Sequence, residues 1–204
     1  MTLEFLITAL VVVLIPGTGV VYTVATGLTA GRRESVAAAF GCTLGIVPAI
    51  AASVVGLSAV LHTSALLFQV VKFCGVAYLL YLAWQTLKES GPLQITDTPS
   101  GTKSFAAIAR TGCLINVLNP KLSVFFLAFL PQFVSAQSGS PIAQMLTLGG
   151  IFMAMTFVVF VGYGFFAALV GERILRSPMV LTWMRRTVAA AFAGFGLRLA
   201  FADR

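Results

Sequence analysis

The chain has 204 residues, of which 59% are hydrophobic and 9% are charged, whereas an ordinary soluble domain carries roughly 25% charged residues. Six acidic and thirteen basic residues cannot give a soluble fold of this size its polar surface, so the composition excludes a soluble enzyme, a nucleic-acid-binding protein and a disordered chain. The net charge of +7 fits the cytoplasmic loops of a membrane protein better than a nucleic-acid partner.

Long apolar stretches without charged residues predict an all-α, polytopic membrane protein, because a bilayer core about 30 Å thick needs about 20 apolar residues as helix. Six spans are predicted, at about residues 3–29, 36–60, 65–87, 107–134, 143–170 and 186–202. The first span is expected to be retained, since its leading residues carry acidic Glu4 rather than a basic cluster and it has no small-residue cleavage site. Arg198 lies inside the sixth span, and its side chain is expected to reach the outer interface.

Basic residues in the short loops predict the orientation. The loops after the first, third and fifth spans contain arginine or lysine, whereas the loops near residues 61–64 and 135–141 contain neither. The odd-numbered loops are therefore expected in the cytoplasm and both termini outside. In a bacterium, such a multi-pass protein would lie in the cytoplasmic (inner) membrane.

The loop at residues 91–106 contains glycine, proline and mixed charges, and is interpreted as a flexible cytoplasmic connector. It divides a single transmembrane domain, residues 1–204, into a three-helix repeat at residues 1–90 and another at residues 107–204. Because each half has an odd number of spans, the second half enters the membrane the opposite way round. The sequence therefore predicts two inverted three-helix repeats.

The first span of each half is interrupted near its middle by a proline. The interruptions are Pro16-Gly17-Thr18-Gly19 and Asn119-Pro120-Lys121. Paired breaks at corresponding positions are typical of a transporter's binding site. Each proline should leave a carbonyl without its partner, at Val12 and Asn116, while the N–H groups beyond each break suit an anion. The alternative is two simple kinks.

Four polar residues inside the spans are further candidates for binding a substrate. Lys121 lies near mid-membrane, where a lysine costs about 2.5–3.5 kcal/mol on insertion scales, so it should face a polar cavity or bind the freed carbonyls. Lys72 could bind substrate or reach the outer interface. Asn116 and Asn119 share a helix face and could contact substrate or link helices. Tyr163 could place its hydroxyl in the cavity or simply pack.

No Asp or Glu lies deep in any predicted span. This argues against a divalent-metal site and against a carboxylate proton relay. The chain also has no P-loop, so neither a metal nor another cofactor is predicted. The small-residue spacings Gly27-x-x-x-Gly31 and Gly41-x-x-x-Gly45 predict close helix contacts, either within one chain or in a homo-oligomer.

Three stretches of the chain resemble the LysE/RhtB family of bacterial amino-acid exporters. They are GCLINVLNPK at residues 112–121, FFLAFLPQFV at residues 125–134 and KFCGVAYLLYL at residues 72–82. Pro16-Gly17 resembles the start of the family's Pro-Gly-Pro-Asn signature. The resemblance implies two inverted three-helix repeats and no enzymatic activity. It also implies gradient-driven export of amino acids or related small zwitterions, with protons as the expected coupling ion and membrane lipid around the protein.

Two departures from the family pattern leave the substrate open. Thr18 and Gly19 stand where the family usually has proline and asparagine, and Pro48 lies where relatives often carry a polar residue. Two rival functions also stay open: a membrane thiol redox carrier on a related six-helix scaffold, and a subunit that only assembles with others. The redox carrier needs cysteines at both breaks, whereas Cys113 lies near the second and the sequence shows none beside the first.

Overall fold

The computed structural model describes residues 3–14, 17–61, 104–134 and 140–170, together with scattered residues between 70 and 88 and between 179 and 197. The described residues are almost entirely helical and include no strand, which confirms the all-α class. The predicted spans at residues 65–87 and 186–202 lie largely outside the described residues. The count of six spans and the inverted repeat therefore stay predictions.

The continuous ranges contain seven α-helices and one 3-10 turn. The helices are α1 (Leu3–Leu14), α2 (Thr18–Thr29), α3 (Arg32–Leu44), α4 (Val47–Leu61), α5 (Phe105–Val117), α6 (Pro120–Phe129) and α7 (Pro141–Val170), and the turn is Leu130–Phe133. Two described segments are long and apolar enough to cross a membrane, Arg32–Gly56 and Pro141–Leu169, and the bent pair of α1 and α2 makes a third. These apolar helices fit the predicted polytopic membrane protein.

Both predicted interruptions occur in the structure. α1 ends at Leu14 and α2 begins at Thr18, and the two helices are bent by 54° relative to each other. In the second half, α5 ends at Val117 and α6 begins at Pro120. A proline suits the first position of a helix because the N–H it lacks would have no partner there. The predicted fourth span is thus two short helices rather than one.

A close helix crossing between α3 and α5 joins the two halves of the chain. A Cβ atom on Gly41 would collide with the carbonyl of Ala109, and one on Gly45 would lie 2.5 Å from the carbonyl of Cys113. From the other side, a Cβ on Gly112 would lie 2.8 Å from the carbonyl of Ala38. The Gly41-x-x-x-Gly45 spacing therefore makes its predicted close contact within one chain.

The other glycine spacing has two separate roles. Gly27 packs α2 against α7, where an added Cβ would lie 2.5 Å from the carbonyl oxygen of Gly164. Gly31 makes no comparable contact and instead forms the turn between α2 and α3, with φ at +106°. Only glycine adopts such a backbone conformation readily, so the expectation that Gly31 packs against a helix was wrong.

Phenylalanine side chains fill the core beside the second break. Phe126 and Phe152 are almost fully buried, with ring centroids 4.9 Å apart in an edge-to-face arrangement. Phe125 packs against both rings, with centroids 5.6 Å from each. Ser53 of α4 donates a hydrogen bond of 2.7 Å to the carbonyl of Phe126. These contacts hold α4, α6 and α7 together around the point where α6 begins.

Candidate functional site

The two broken helices meet. Asn119, the residue before α6, donates a hydrogen bond from Nδ2 to Oγ1 of Thr18, the first residue of α2, over 3.2 Å. The two residues are 101 positions apart in the sequence. The breaks in the two halves therefore form one junction, as a shared binding site requires.

A cavity of about 50 Å³ lies at this junction, with room for roughly three to five water molecules at 10–15 Å³ each. Its polar lining side chains are those of Asn116, Asn119 and Thr156, and its apolar lining includes three phenylalanines. Within the described ranges, no three potential metal ligands come together. The cavity therefore presents amide and hydroxyl groups inside an aromatic and aliphatic wall.

The cavity lies level with the middle of α7. Phe152, Thr156 and Phe160 line it from one helix face, because they are spaced four residues apart. They occupy the central part of a helix of 30 residues, which is about 45 Å long at 1.5 Å per residue. The junction of the breaks is therefore about half-way through the longest described span.

Asn116 is 4% exposed and is oriented by one strong contact. Its Nδ2 donates a hydrogen bond of 2.7 Å to the carbonyl of Cys42, so Oδ1 points the other way, toward Gly19. No hydrogen bond to this oxygen occurs among the described residues. Every enclosed polar side-chain atom among the described residues has a hydrogen-bond partner. Because Oδ1 of Asn116 has none, this oxygen is not enclosed and touches the open space of the cavity.

The main-chain carbonyl of Asn116 is not free. It accepts a hydrogen bond of 3.2 Å from the N–H of Asn119, because the last turn of α5 tightens before the proline. The prediction that Pro120 leaves this carbonyl without a partner was therefore wrong. The amide side chain of Asn116 is the acceptor that faces the cavity.

Gly17 and Gly19 bring the start of α2 to the cavity. Gly17 is the N-cap of α2, with extended backbone and no side-chain cap. The first hydrogen bond within α2 runs from the N–H of Val21 to the carbonyl of Gly17 at 3.0 Å. The N–H groups of Thr18, Gly19 and Val20 therefore make no such bond, as in the first turn of any helix. This helix end can attract an anion.

Of the two positions considered for Tyr163, the structure shows it packed against α1 rather than lining the cavity. Its hydroxyl donates a hydrogen bond of 2.8 Å to the carbonyl of Leu14, the last residue of α1. It is half-buried and does not line the cavity. Tyr163 thus satisfies a carbonyl at the first break and ties α1 to α7.

Four predicted site residues are not placed in full. Pro16 and Lys72 lie outside the described residues. The backbones of Pro120 and Lys121 form the first turn of α6, beside the junction, but the positions of their side chains are not described. The roles expected for these residues stay predictions.

Sequence reasoning missed the contribution of α7 to the cavity. Thr156 was not singled out, although it is the single hydroxyl between Phe152 and Phe160 on one helix face. That spacing is the signal that could have found it. It could not show that this face, rather than another, meets the broken helices.

Comparisons with known proteins identify the family of the chain. The LysE type translocator family matches residues 10–203 of the chain. An uncharacterised membrane protein of Vibrio cholerae serotype O1 is 38% identical, over 98% of this chain and 96% of its own length. A homoserine/homoserine lactone efflux protein of Salmonella typhimurium is 30% identical, over 97% and 95% of the two chains.

A leucine efflux protein of an Enterobacter species is 24% identical, over 96% of this chain and 93% of its own. No solved structure matches the chain. The family match covers nearly the whole chain, including both broken helices and α7. The chain therefore belongs to the LysE type translocator family.

Proposed function

We propose that this chain is a secondary active exporter of amino acids or related small zwitterions, carrying them out of the bacterial cytoplasm without a covalent step. The observation that carries the proposal is the hydrogen bond between Asn119 and Thr18, which joins two broken helices beside a cavity half-way along α7. Relatives named for homoserine and leucine efflux support the same substrate class.

The substrate carboxylate binds at the start of α2. The N–H groups of Thr18, Gly19 and Val20 and the helix dipole together favour negative charge there. The substrate ammonium binds at Oδ1 of Asn116, which faces the cavity from the opposite half of the chain. A zwitterion thus bridges the two halves at their junction.

Lys121 supplies a second positive group for the carboxylate. Its backbone lies in the first turn of α6, two residues beyond Asn119. A lysine at this depth is unfavourable unless a polar cavity or an anion accepts it. Replacing Lys121 with alanine is therefore expected to weaken binding of the carboxylate.

The cavity must widen during transport. Its volume of about 50 Å³ holds a few water molecules and not an amino acid. The two halves rock about the junction, so that the cavity opens to one side of the membrane and then to the other. The proton gradient drives the cycle in this proposal.

The arginine-bearing end of the protein faces the cytoplasm. The guanidinium of Arg32 lies 5.9 Å from the ring centroid of Phe165, near the end of α7, and Arg110 lies in the second turn of α5. Phe105, the first residue of α5, packs against Phe40 of α3, with ring centroids 6.3 Å apart. This grouping supports the orientation predicted from the loops.

Counterflow in proteoliposomes tests the proposal. Vesicles holding the purified protein and an excess of one unlabelled amino acid should accumulate the same labelled amino acid, and protein-free vesicles should not. The panel includes L-leucine, L-homoserine, L-lysine and L-glutamate. Lys121→Ala should raise the half-saturating concentration of each transported substrate. Absence of exchange across a broad panel would remove the proposal.

The cysteines separate export from thiol chemistry. Cys42 is buried, and its thiol lies 3.8 Å from the carbonyl of Gly19, whereas Cys74 is exposed. Export needs no thiol, so replacing Cys42, Cys74 and Cys113 together with alanine should preserve counterflow. A redox carrier would lose all activity in that variant.

A further inference from the structure

We infer that the cavity is selective for amino acids with a neutral, aliphatic side chain, and that Thr156 binds the substrate ammonium together with Asn116. The inference rests on the proposed export function and adds the substrate class. Two features of the cavity support the inference. Its described lining has no charged side chain. The donors of its two buried polar side chains, Asn116 and Thr156, already bond to main-chain carbonyls.

The described lining of the cavity contains no charged side chain. Its walls are aliphatic residues of α1 and α6 and the buried rings of Phe125, Phe152 and Phe160. The acidic residues in the described helices, Glu4 and Glu34, lie in the first turns of α1 and α3, away from this cavity. A lysine or arginine side chain entering here would lose its hydration without meeting a carboxylate in the described lining.

Thr156 presents an acceptor to the cavity. It is 3% exposed, and its hydroxyl donates a hydrogen bond of 2.8 Å to the carbonyl of Phe152. A threonine hydroxyl has one proton, so the lone pairs of Oγ1 are what remains for a ligand. Asn116 likewise offers the cavity an acceptor, because its Nδ2 donates to the carbonyl of Cys42 while its Oδ1 faces the cavity.

Two acceptors in one apolar cavity favour a group that only donates hydrogen bonds. The ammonium of an amino acid is such a group, since it has three N–H bonds and no lone pair. A carboxylate side chain, as in glutamate, would enter the apolar wall and lose its hydration, because the ammonium occupies Thr156 and Asn116. The cavity therefore disfavours acidic side chains as well as basic ones, and the aromatic wall receives an aliphatic side chain.

Competition in the counterflow assay tests this selectivity. L-Leucine and L-homoserine should exchange at least about tenfold faster than L-lysine and L-glutamate at equal concentration, in line with discrimination by side-chain chemistry. Exchange of L-lysine or L-glutamate at the rate of L-leucine would overturn the inference and leave the export function standing. Exchange of no amino acid would overturn the export function, and the inference with it.

Matched threonine variants test the role of Thr156. Thr156→Val keeps the shape and removes the hydroxyl, and should raise the half-saturating concentration of L-leucine about tenfold, while Thr156→Ser should restore it. Thr147→Val is the control, because Thr147 is exposed on the same helix and makes the same kind of hydrogen bond, to the carbonyl of Ala143 at 2.8 Å.

Melting temperatures show whether each variant is folded, and they must be close to that of the unchanged protein for the comparison to count. Thr156→Ala also removes the hydroxyl, with a smaller side chain, so it keeps the test open if the valine variant is unstable. Equal kinetics for Thr156→Val, Thr147→Val and the unchanged protein would overturn the assignment of Thr156.

Discussion

Gly19, in the first turn of α2, has no room for a side chain. A Cβ atom there would lie 2.9 Å from Cε2 of Phe160 and 3.0 Å from Oδ1 of Asn116. Both side chains line the cavity. An added methyl group would therefore push them into the space that the substrate needs. Glycine at this position keeps the cavity open.

Gly19→Ala should abolish or strongly reduce export while the protein still folds. The substitution narrows the cavity, and alanine in a helix is itself favoured over glycine by up to about 1 kcal/mol. Counterflow and melting temperature measure the two effects. Gly150→Ala is the control, since an added Cβ meets nothing within 4 Å there. Full activity of Gly19→Ala would contradict the proposed position of the substrate.

Sequence reasoning found the residues whose chemistry is unusual for a membrane span. Asn116 and Asn119 stand out because an amide beside a proline break needs a polar partner. Thr156 does not stand out, because a threonine satisfies its own hydroxyl by bonding to the preceding turn, as Thr156 does with Phe152. Its importance depends on which helix face meets the break, and one chain in isolation does not reveal that.

At the scale of the secondary-structure element, the sequence alone predicts the broken helices, because a proline acts on its own helix. The ring removes a hydrogen-bond donor wherever it stands, so the ends of α1 and α5 follow from the covalent structure. Tyr163 is the opposite case. Its bond to the carbonyl of Leu14 spans 149 positions, and no local pattern predicts it.

Tyr163→Phe should lower the melting temperature of the detergent-purified protein. It removes the hydrogen bond to Leu14, and a bond of this type contributes about 0.5–1.5 kcal/mol. The substitution leaves the lining of the cavity unchanged, so the half-saturating substrate concentration should stay within about twofold. Thr147→Val provides a comparison in which an exposed hydroxyl is lost from the same helix. An unchanged melting temperature would show that the contact with α1 has no role in stability.

The crossing of α3 and α5 should be the least tolerant contact between elements. Gly41→Ala places a methyl group against the backbone of Ala109, which cannot move without separating the helices, and overpacking of this kind costs about 1–3 kcal/mol or more. We expect a lower melting temperature and poor recovery from membranes. Gly162→Ala, where an added Cβ meets nothing within 4 Å, should behave like the unchanged protein.

At the scale of the molecule, the two halves interleave. Gly41 and Gly45 of the first half contact α5 of the second, and Gly27 of the first contacts Gly164 of the second. These small-residue faces are used inside one chain and so give no support to a homo-oligomer. Charge-free stretches predicted how much of the chain is membrane-embedded, but not this interleaving, because several pairings of helices satisfy the same hydropathy.

The orientation can be tested with two single cysteines, in a background where Cys74 and Cys113 are replaced by serine and buried Cys42 is kept. Arg33→Cys lies at the start of α3, near the arginine-bearing end, and Ser140→Cys lies next to the start of α7, about 45 Å away along that helix. A membrane-impermeant maleimide should label Ser140→Cys in intact spheroplasts and Arg33→Cys only in inverted vesicles. The reverse pattern would show that the termini are cytoplasmic.

The Gly41–Ala109 contact also limits which mutations of the gene the protein can tolerate. A single-base change in any glycine codon gives glycine again, a stop, or an amino acid that carries a Cβ atom. At Gly41 every such amino acid would meet the main chain of Ala109, whereas the neighbouring Phe40 is exposed and packs against a side chain, the ring of Phe105, which can adjust. Random mutation of the gene should therefore find almost no acceptable amino-acid replacement at Gly41, and two helices from opposite halves would stay in contact through long divergence.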